Sequence, residues 1–294
     1  MYAIDLHIHS IYSDGTDTVE QIIQKAKEKK LDLIALTDHN TLDNINDLKE
    51  YSKKYNQNVI AGIELSTMYQ GNEIHVLGYF PIQDDFQSAK YNSLYEFLNE
   101  YKQTKEIQNE SILLKLKNTF PDISVEEFYQ YTNSYNINRV HIAKYMIKKG
   151  IVKDIQTAFD QYIGSHCPFY TKRKEMSLQK GIEAIKNAGG ISIIAHLGEY
   201  DFNDEEISKF MNQCIHYGID GFECYHPLND REIVKIIQNY QHMIFTLGSD
   251  YHGNNKKNNF LGISYNYTMN KKEYEQFYQT SIETHDYFEK WVKL

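Results

Sequence analysis

Proline is scarce in this chain, with four residues in 294. No Pro- or Gly-rich linker, low-complexity block or internal repeat interrupts it, which argues against tethered modules and against a solenoid. Cysteine is scarce as well. Cys167, Cys214 and Cys224 form an odd set without a close pair. A disulfide framework is therefore not expected, and a reducing, cytoplasmic setting is. Long apolar runs are missing, and Met1 leads straight into Tyr-Ala-Ile-Asp. Neither a signal peptide nor membrane attachment is expected. Positive charge falls short of negative: 31 Lys and Arg stand against 40 Asp and Glu, for a net charge of −9. No long basic run is present, so the global field does not favour nucleic acid, although a bound metal cluster would make a site locally positive. Nothing in the sequence marks a protein partner.

What is present is a large apolar fraction, 41%, in a length that suits one α/β barrel with an insertion. Short apolar runs lie at 3–6, 33–37, 59–65, 74–80, 191–195, 221–225 and 244–247. Amphipathic stretches separate them. In residues 18–30, Val19, Ile22, Ile23 and Ala26 follow helical spacing, with Thr18 as N-cap and Gln21 as its reciprocal partner. Residues 42–55 predict the next helix. Strand–helix–strand alternation implies parallel strands with crossover helices. Between residues 88 and 172 the alternation gives way to helical patterns at 94–118, 125–131, 140–149 and 154–163, with Gly150 and Gly164 as stops. The spacing predicts a barrel from 1–87 and 173–294, and a helical insertion, 88–172, that caps the active site.

The polar residues fall in a pattern. His7 and His9 are two apart at the end of the first strand and point to one side. Asp38 and His39 follow the second strand, Glu64 ends the third, His75 lies in the fourth and His196 follows the fifth apolar run. Asp250 and His252, again two apart, follow the last. Strand ends of a closed barrel converge on one mouth, and imidazole with carboxylate suits zinc, manganese or iron. A lone histidine beside a strand is usually just hydrogen-bonded. Two such pairs at opposite ends of the chain are harder to explain that way. An unpaired ionised Glu64 in an apolar run would cost several kcal/mol. Asp38 is read as orienting an imidazole, Cys224 as packed core, and His226 as a satisfied strand-end histidine.

Taken together, these residues resemble the PHP (polymerase and histidinol phosphatase) family. The motifs are Asp5-Leu6-His7-Ile8-His9-Ser10 with Ser13-Asp14-Gly15, then Leu36-Thr37-Asp38-His39-Asn40, then Gly62-Ile63-Glu64-Leu65-Ser66 with Glu73-Ile74-His75. Ala188-Gly189-Gly190 through Ala195-His196 and Gly248-Ser249-Asp250-Tyr251-His252-Gly253 complete the set. Asn138-Arg139-Val140-His141-Ile142-Ala143 in the insertion resembles the TrpH-like branch, which includes nucleoside 3′,5′-bisphosphate phosphatases and 5′-to-3′ exoribonucleases. Leu197 departs from that branch, where Pro usually follows the histidine. The resemblance implies a distorted TIM-like (β/α)7 barrel and three divalent ions, with manganese, iron or zinc as candidates. It implies that His7, His9, Glu64 and Asp250 hold the first ion. Glu64 bridges to the second, which also takes His75 and His196, and Asp14, His39 and His252 hold the third.

Such a centre would carry about +6 from the ions against about −3 from Asp14, Glu64 and Asp250, and would attract a phosphate. The implied reaction is phosphoester hydrolysis by a metal-bridging hydroxide, with Asp14, His39, Glu64 and Asp250 acting through it. Expected substrates are nucleotides: a nucleoside 3′,5′-bisphosphate or short 5′-phosphorylated RNA. The alternatives are histidinol phosphate or phosphotyrosine, and a non-catalytic metal-binding regulator, which would have eroded ligands. Arg139, His141 and Lys144 are candidates for holding substrate phosphate, with Lys148 continuing their helix face.

Overall fold

A computed structural model describes residues 3–132, 137–256, 258–262 and 269–292. It divides into two compact units, Met1–Phe97 with Met176–Leu294, and Leu98–Glu175.

The first unit is built on a seven-stranded sheet whose spatial order is the chain order: β1 (Ile4–Ile8), β2 (Leu33–Leu36), β3 (Val59–Tyr69), β4 (Asn72–Phe80), β5 (Ile191–Ile194), β6 (Gly221–Tyr225) and β7 (Ile244–Leu247). The chain beyond β7 returns to β1, where the His9 N–H donates to the Tyr251 carbonyl at 2.8 Å. The sheet thereby becomes a nearly closed, distorted barrel. Its helices include α1 (Val19–Glu28), α2 (Ile45–Tyr55) and, in the second half of the chain, four more that are given below. The box at the start of α1 is present as the sequence implies, with Thr18 and Gln21 satisfying each other's backbone N–H groups. Val19, Ile22, Ile23 and Ala26 are its buried face. Helix α2 starts three residues later than expected, because the Asn44 amide donates to Asp38 instead of capping it.

One expectation fails. The strands are not all parallel: β4 runs antiparallel to both β3 and β5. Tyr69 and Asn72 are joined through Gln70 and Gly71, both at positive φ (49° and 86°). A two-residue turn of that kind can only make a hairpin. The hairpin also lengthens β3, so Glu64 lies within its strand and not at its end. Because β4 is reversed, its beginning, with His75 opposite Ser66, lies at the same mouth as the ends of its parallel neighbours.

The second unit has its own apolar core, including Ile112, Leu116, Phe128, Ile142, Tyr145 and Met146. It comprises most of α3 (Asn92–Thr119), then α4 (Val125–Tyr131), α5 (Arg139–Lys148) and α6 (Ile155–Ala158). The expected helix over 154–163 is α-helical only through Ala158. Phe159–Ile163 continues as a π turn. The remaining helices of the first unit are α7 (Leu178–Asn187), α8 (Asp204–His216), α9 (Arg231–Gln238) and α10 (Lys271–Val292). Among the described residues no helix is long and apolar enough to cross a membrane.

Candidate metal centre

The barrel mouth gathers all nine histidine and carboxylate side chains that the sequence singles out as ligands. His7 and His9 leave β1 on one side and are fully buried. Their Nε2 atoms lie 3.1 Å apart. Glu64 Oε2 is 3.2 Å from the first and 3.0 Å from the second, and Asp250 Oδ1 is 3.5 and 3.3 Å from them. These edges of 3.0–3.5 Å match the roughly 3.3 Å edge of a tetrahedron around an ion with ligand distances near 2.0 Å.

Glu64 faces a second group with its other oxygen. Oε1 is 3.0 Å from both His75 Nδ1 and His196 Nε2, and those two nitrogens are 3.3 Å apart. A third group is looser. Asp14 Oδ1 is 3.2 Å from His252 Nε2, and Asp14 Oδ2 is 4.0 Å from His39 Nε2. His9 Nδ1 approaches the same Asp14 at 3.7 Å. The groups His7–His9–Glu64–Asp250 and His9–Asp14–His39–His252 each have four ligand atoms close enough to share one ion.

Hydrogen bonding accounts for only some of these approaches. Glu64 Oε2, His39 Nδ1 and His252 Nε2 are buried and have no hydrogen-bond partner, although nitrogens or oxygens lie within 3.2 Å of each. Buried polar atoms are rarely left this way. The donor set of imidazoles and carboxylates fits divalent transition ions.

Burial opposes charge on every one of these groups, and the neighbours decide the outcome. Burial would raise Glu64, but His39, His7 and His75 hold it well below the usual carboxylate range. Burial would lower His9 and His75, but the carboxylates beside them push His9 up to about 9 and His75 up to about 10. For His39 burial wins and holds it at about 3. An ion-free centre therefore carries protons where ions would sit.

The backbone around the centre is strained in places. His196 (φ 26°) and Asp250 (φ 54°) occupy positive φ without being glycine, the sort of strain that collects at functional sites. Asp38 reaches an imidazole only through the Ser13 hydroxyl, which lies 3.4 Å from His9 Nδ1. Its oxygens accept from the Ser10 N–H and hydroxyl, the Ser13 hydroxyl and the Asn44 amide, and so fix the loop that carries Asp14.

A PHP domain model matches residues 5–292. The chain belongs to the PHP domain family. This PHP chain is 25% identical over 258 residues to the 5'-3' exoribonuclease Rnm of Salmonella typhimurium, covering 85% of this chain and 86% of the relative. It is 26% identical over 257 residues to the 3',5'-nucleoside bisphosphate phosphatase of Chromobacterium violaceum, covering 86% and 88%. A solved structure of a metal-dependent phosphoesterase from Bifidobacterium adolescentis superposes with a TM-score of 0.70 at 22% identity, over 95% of this chain and 96% of that one.

Three residues near the centre escaped the sequence reading. Glu223, in β6, has Oε1 3.0 Å from His7 Nδ1, and its Oε2 accepts from the His196 N–H. Glu199 Oε2 lies 2.9 Å from His196 Nδ1. Lys256 Nζ lies 2.5 Å from Asp250 Oδ2. The signal for Glu223 was the one that flagged Glu64, an ionisable residue inside an apolar run. His226 is buried with Nδ1 accepting from the Leu228 N–H, and its Nε2 is 3.8 Å from Asp250 Oδ2.

Arg139, His141 and Lys144 belong to the other unit, on α5. Arg139 donates to the Ile163 carbonyl at 3.2 Å, with Phe159 and Tyr170 rings 5.5 and 5.2 Å from its guanidinium. His141 Nδ1 accepts from the Asn138 N–H and completes the cap of α5. Lys144 is exposed.

Proposed function

We propose that this PHP chain hydrolyses phosphate esters of nucleotides at a centre of three divalent ions. The observation that carries the reading is the double use of Glu64, one oxygen in each of two groups of ligand-type atoms. On this reading His7, His9, Glu64 and Asp250 hold one ion, Glu64, His75 and His196 a second, and Asp14, His39 and His252 a third. Manganese, iron and zinc all suit these donors. Such ions, when bound, make water acidic enough to serve as a nucleophile near neutral pH and neutralise charge on phosphoryl oxygens.

The chain's own residues supply the arrangement. Asp38 and its serine donors hold the Asp14 loop, and Glu64 spaces two groups with one side chain. The names of the relatives support a nucleoside 3′,5′-bisphosphate or the 5′ end of a short RNA as substrate. Arg139, His141 and Lys144 are assigned to the substrate phosphate. The fixed guanidinium of Arg139 supports this best, because an ordered fork binds phosphate without further loss of freedom. The three free cysteines support a cytoplasmic setting.

Asp14→Ala and His39→Ala test the centre. With manganese supplied, each is expected to lower kcat/KM by more than about 100-fold, the upper range for losing an outer partner of a ligand. If turnover survives both changes, the three-ion reading fails. A panel of a nucleoside 3′,5′-bisphosphate, a 5′-phosphorylated oligoribonucleotide, histidinol phosphate and phosphotyrosine tests the substrate. Equal, slow rates on all four would remove the nucleotide preference.

A further inference from the structure

Glu223 lies in the run Gly-Phe-Glu-Cys-Tyr and is fully buried. Its Oε1 is 3.0 Å from His7 Nδ1, and its Oε2 accepts from the His196 N–H at 2.8 Å. We infer that Glu223 is a positioning residue that sets the tautomer of His7 and pins the backbone of His196, so that one carboxylate places ligands of two ions. This rests on the reading above that His7 and His196 are ligands.

A backbone N–H can only donate, so the contact to His196 needs an acceptor at Oε2. A carboxylate has no proton to give, so Oε1, 3.0 Å from His7 Nδ1, is an acceptor too. His7 must then carry its proton on Nδ1, which leaves the Nε2 lone pair facing His9, Glu64 and Asp250. His196 sits at φ 26° and ψ 62°, outside the regions ordinary residues favour. The bond to Glu223 holds it there, where Nε2 reaches Glu64 at 3.0 Å.

Three neighbours fit the same role. A Cβ at Gly248 would stand 2.2 Å from His7 Cβ and 2.3 Å from Glu223 Oε1, so the glycine leaves room for the pair to meet. Asn229 donates to the carbonyls of Glu223 and Cys224 and accepts from the Gly198 N–H, tying the strand end to the segment after His196. His226 Nδ1 accepts from the Leu228 N–H, so its proton sits on Nε2. His7, Glu223 and His226 lie close enough to share an ion, but the protons on His7 Nδ1 and His226 Nε2 make them a support and not another site.

Glu223→Gln keeps the size and turns one acceptor into an NH2 donor. The His196 N–H still requires the remaining oxygen. The new NH2 then faces His7 Nδ1 and drives the His7 proton to Nε2, into the cluster. Zinc affinity, measured by competition with a chromophoric chelator, is expected to fall about 10- to 100-fold. The unfolding temperature of the metal-free protein should stay close to wild type, and Glu223→Asp, which keeps both acceptors, should recover part of the affinity. A Gln variant that binds zinc within twofold of wild type overturns the assignment. Long-range proton–nitrogen NMR of the zinc-loaded wild type provides a test that needs no variant. It should show His7 bound through Nε2 with a proton on Nδ1, and coordination through Nδ1 overturns the proposal. A wild-type chain that binds no zinc or manganese would sink the metal-centre reading itself, and this assignment with it.

Discussion

Asp38 offers a stability test whose size follows from its contacts. Oδ1 accepts from the Ser10 N–H and the Ser13 hydroxyl, both at 2.7 Å. Oδ2 accepts from the Ser10 hydroxyl at 2.6 Å and the Asn44 amide at 2.5 Å. Ser10 and Asn44 are completely buried. In Asp38→Ala the Ser10 N–H, the Ser10 hydroxyl and the Asn44 amide lose their acceptor in a place water does not reach. At about 1–3 kcal/mol for each stranded donor, the loss should come to about 6 kcal/mol. The Ser13 hydroxyl is only half buried and can turn to water. Asp38→Asn should cost far less. The Ser10 N–H keeps a carbonyl oxygen, the Ser10 hydroxyl can turn to accept, and Asn44 can present its Oδ1, which has no partner in the wild type. What remains is lost charge assistance, about 1–2 kcal/mol. Urea unfolding of the metal-free proteins measures both, provided the slope is unchanged. An Ala variant within 1 kcal/mol of wild type, or an Asn variant as costly as Ala, would refute the reasoning.

Two further outcomes follow from the centre and from α5. Metal binding should release protons at pH 7, because His9 and His75 hold theirs up to about 9 and about 10 in the ion-free state and must lose them to become ligands. Apparent zinc affinity should therefore rise with pH toward those values. For the metal-free fold the sign is opposite. The stability from these two raised groups is complete below about 6.5 and is lost as pH climbs through about 9 and 10. Titration calorimetry in buffers of different ionisation enthalpy counts the protons, and binding without proton release at pH 7 would contradict the charge state. Arg139→Ala should raise KM for a nucleoside bisphosphate about tenfold through loss of a charge-assisted phosphate contact, with little change in kcat. Losing its contacts to Phe159 and Tyr170 should also cost about 1 kcal/mol of stability. Steady-state kinetics that show the stability loss with an unchanged KM would leave Arg139 a purely structural role.

Much of the centre could be read from residue order, because its signals are local. His7 and His9, like Asp250 and His252, are two apart, and an extended chain sends alternate side chains to one side. Glu64 stands out because a carboxylate inside an apolar run is costly without a partner. The capping box at Thr18 is a four-residue pattern, and α1 forms where it predicts. Glu223 carried the same kind of signal as Glu64 but lacked a histidine neighbour in sequence to draw attention to it. Its partners, His7 and His196, are 216 and 27 residues away.

Sequence alone was enough to read the alternation of strands and helices and eight of the nine ligand-type residues, since periodicity and spacing act over a few residues; Asp14 and the distorted barrel came with the resemblance to the PHP family. Only the tertiary structure decided which atoms meet. The reversed β4 brings His75 to the shared mouth, and the lengthened β3 puts Glu64 between two groups, because a two-residue turn at Gln70-Gly71 leaves no room for a crossover. Asp38 went to the serines of the Asp14 loop and meets an imidazole only through Ser13, because the Ser10 donors are buried and would otherwise be unpaired. Hydrogen bonds and charges act across a few ångströms of space, whatever the separation along the chain.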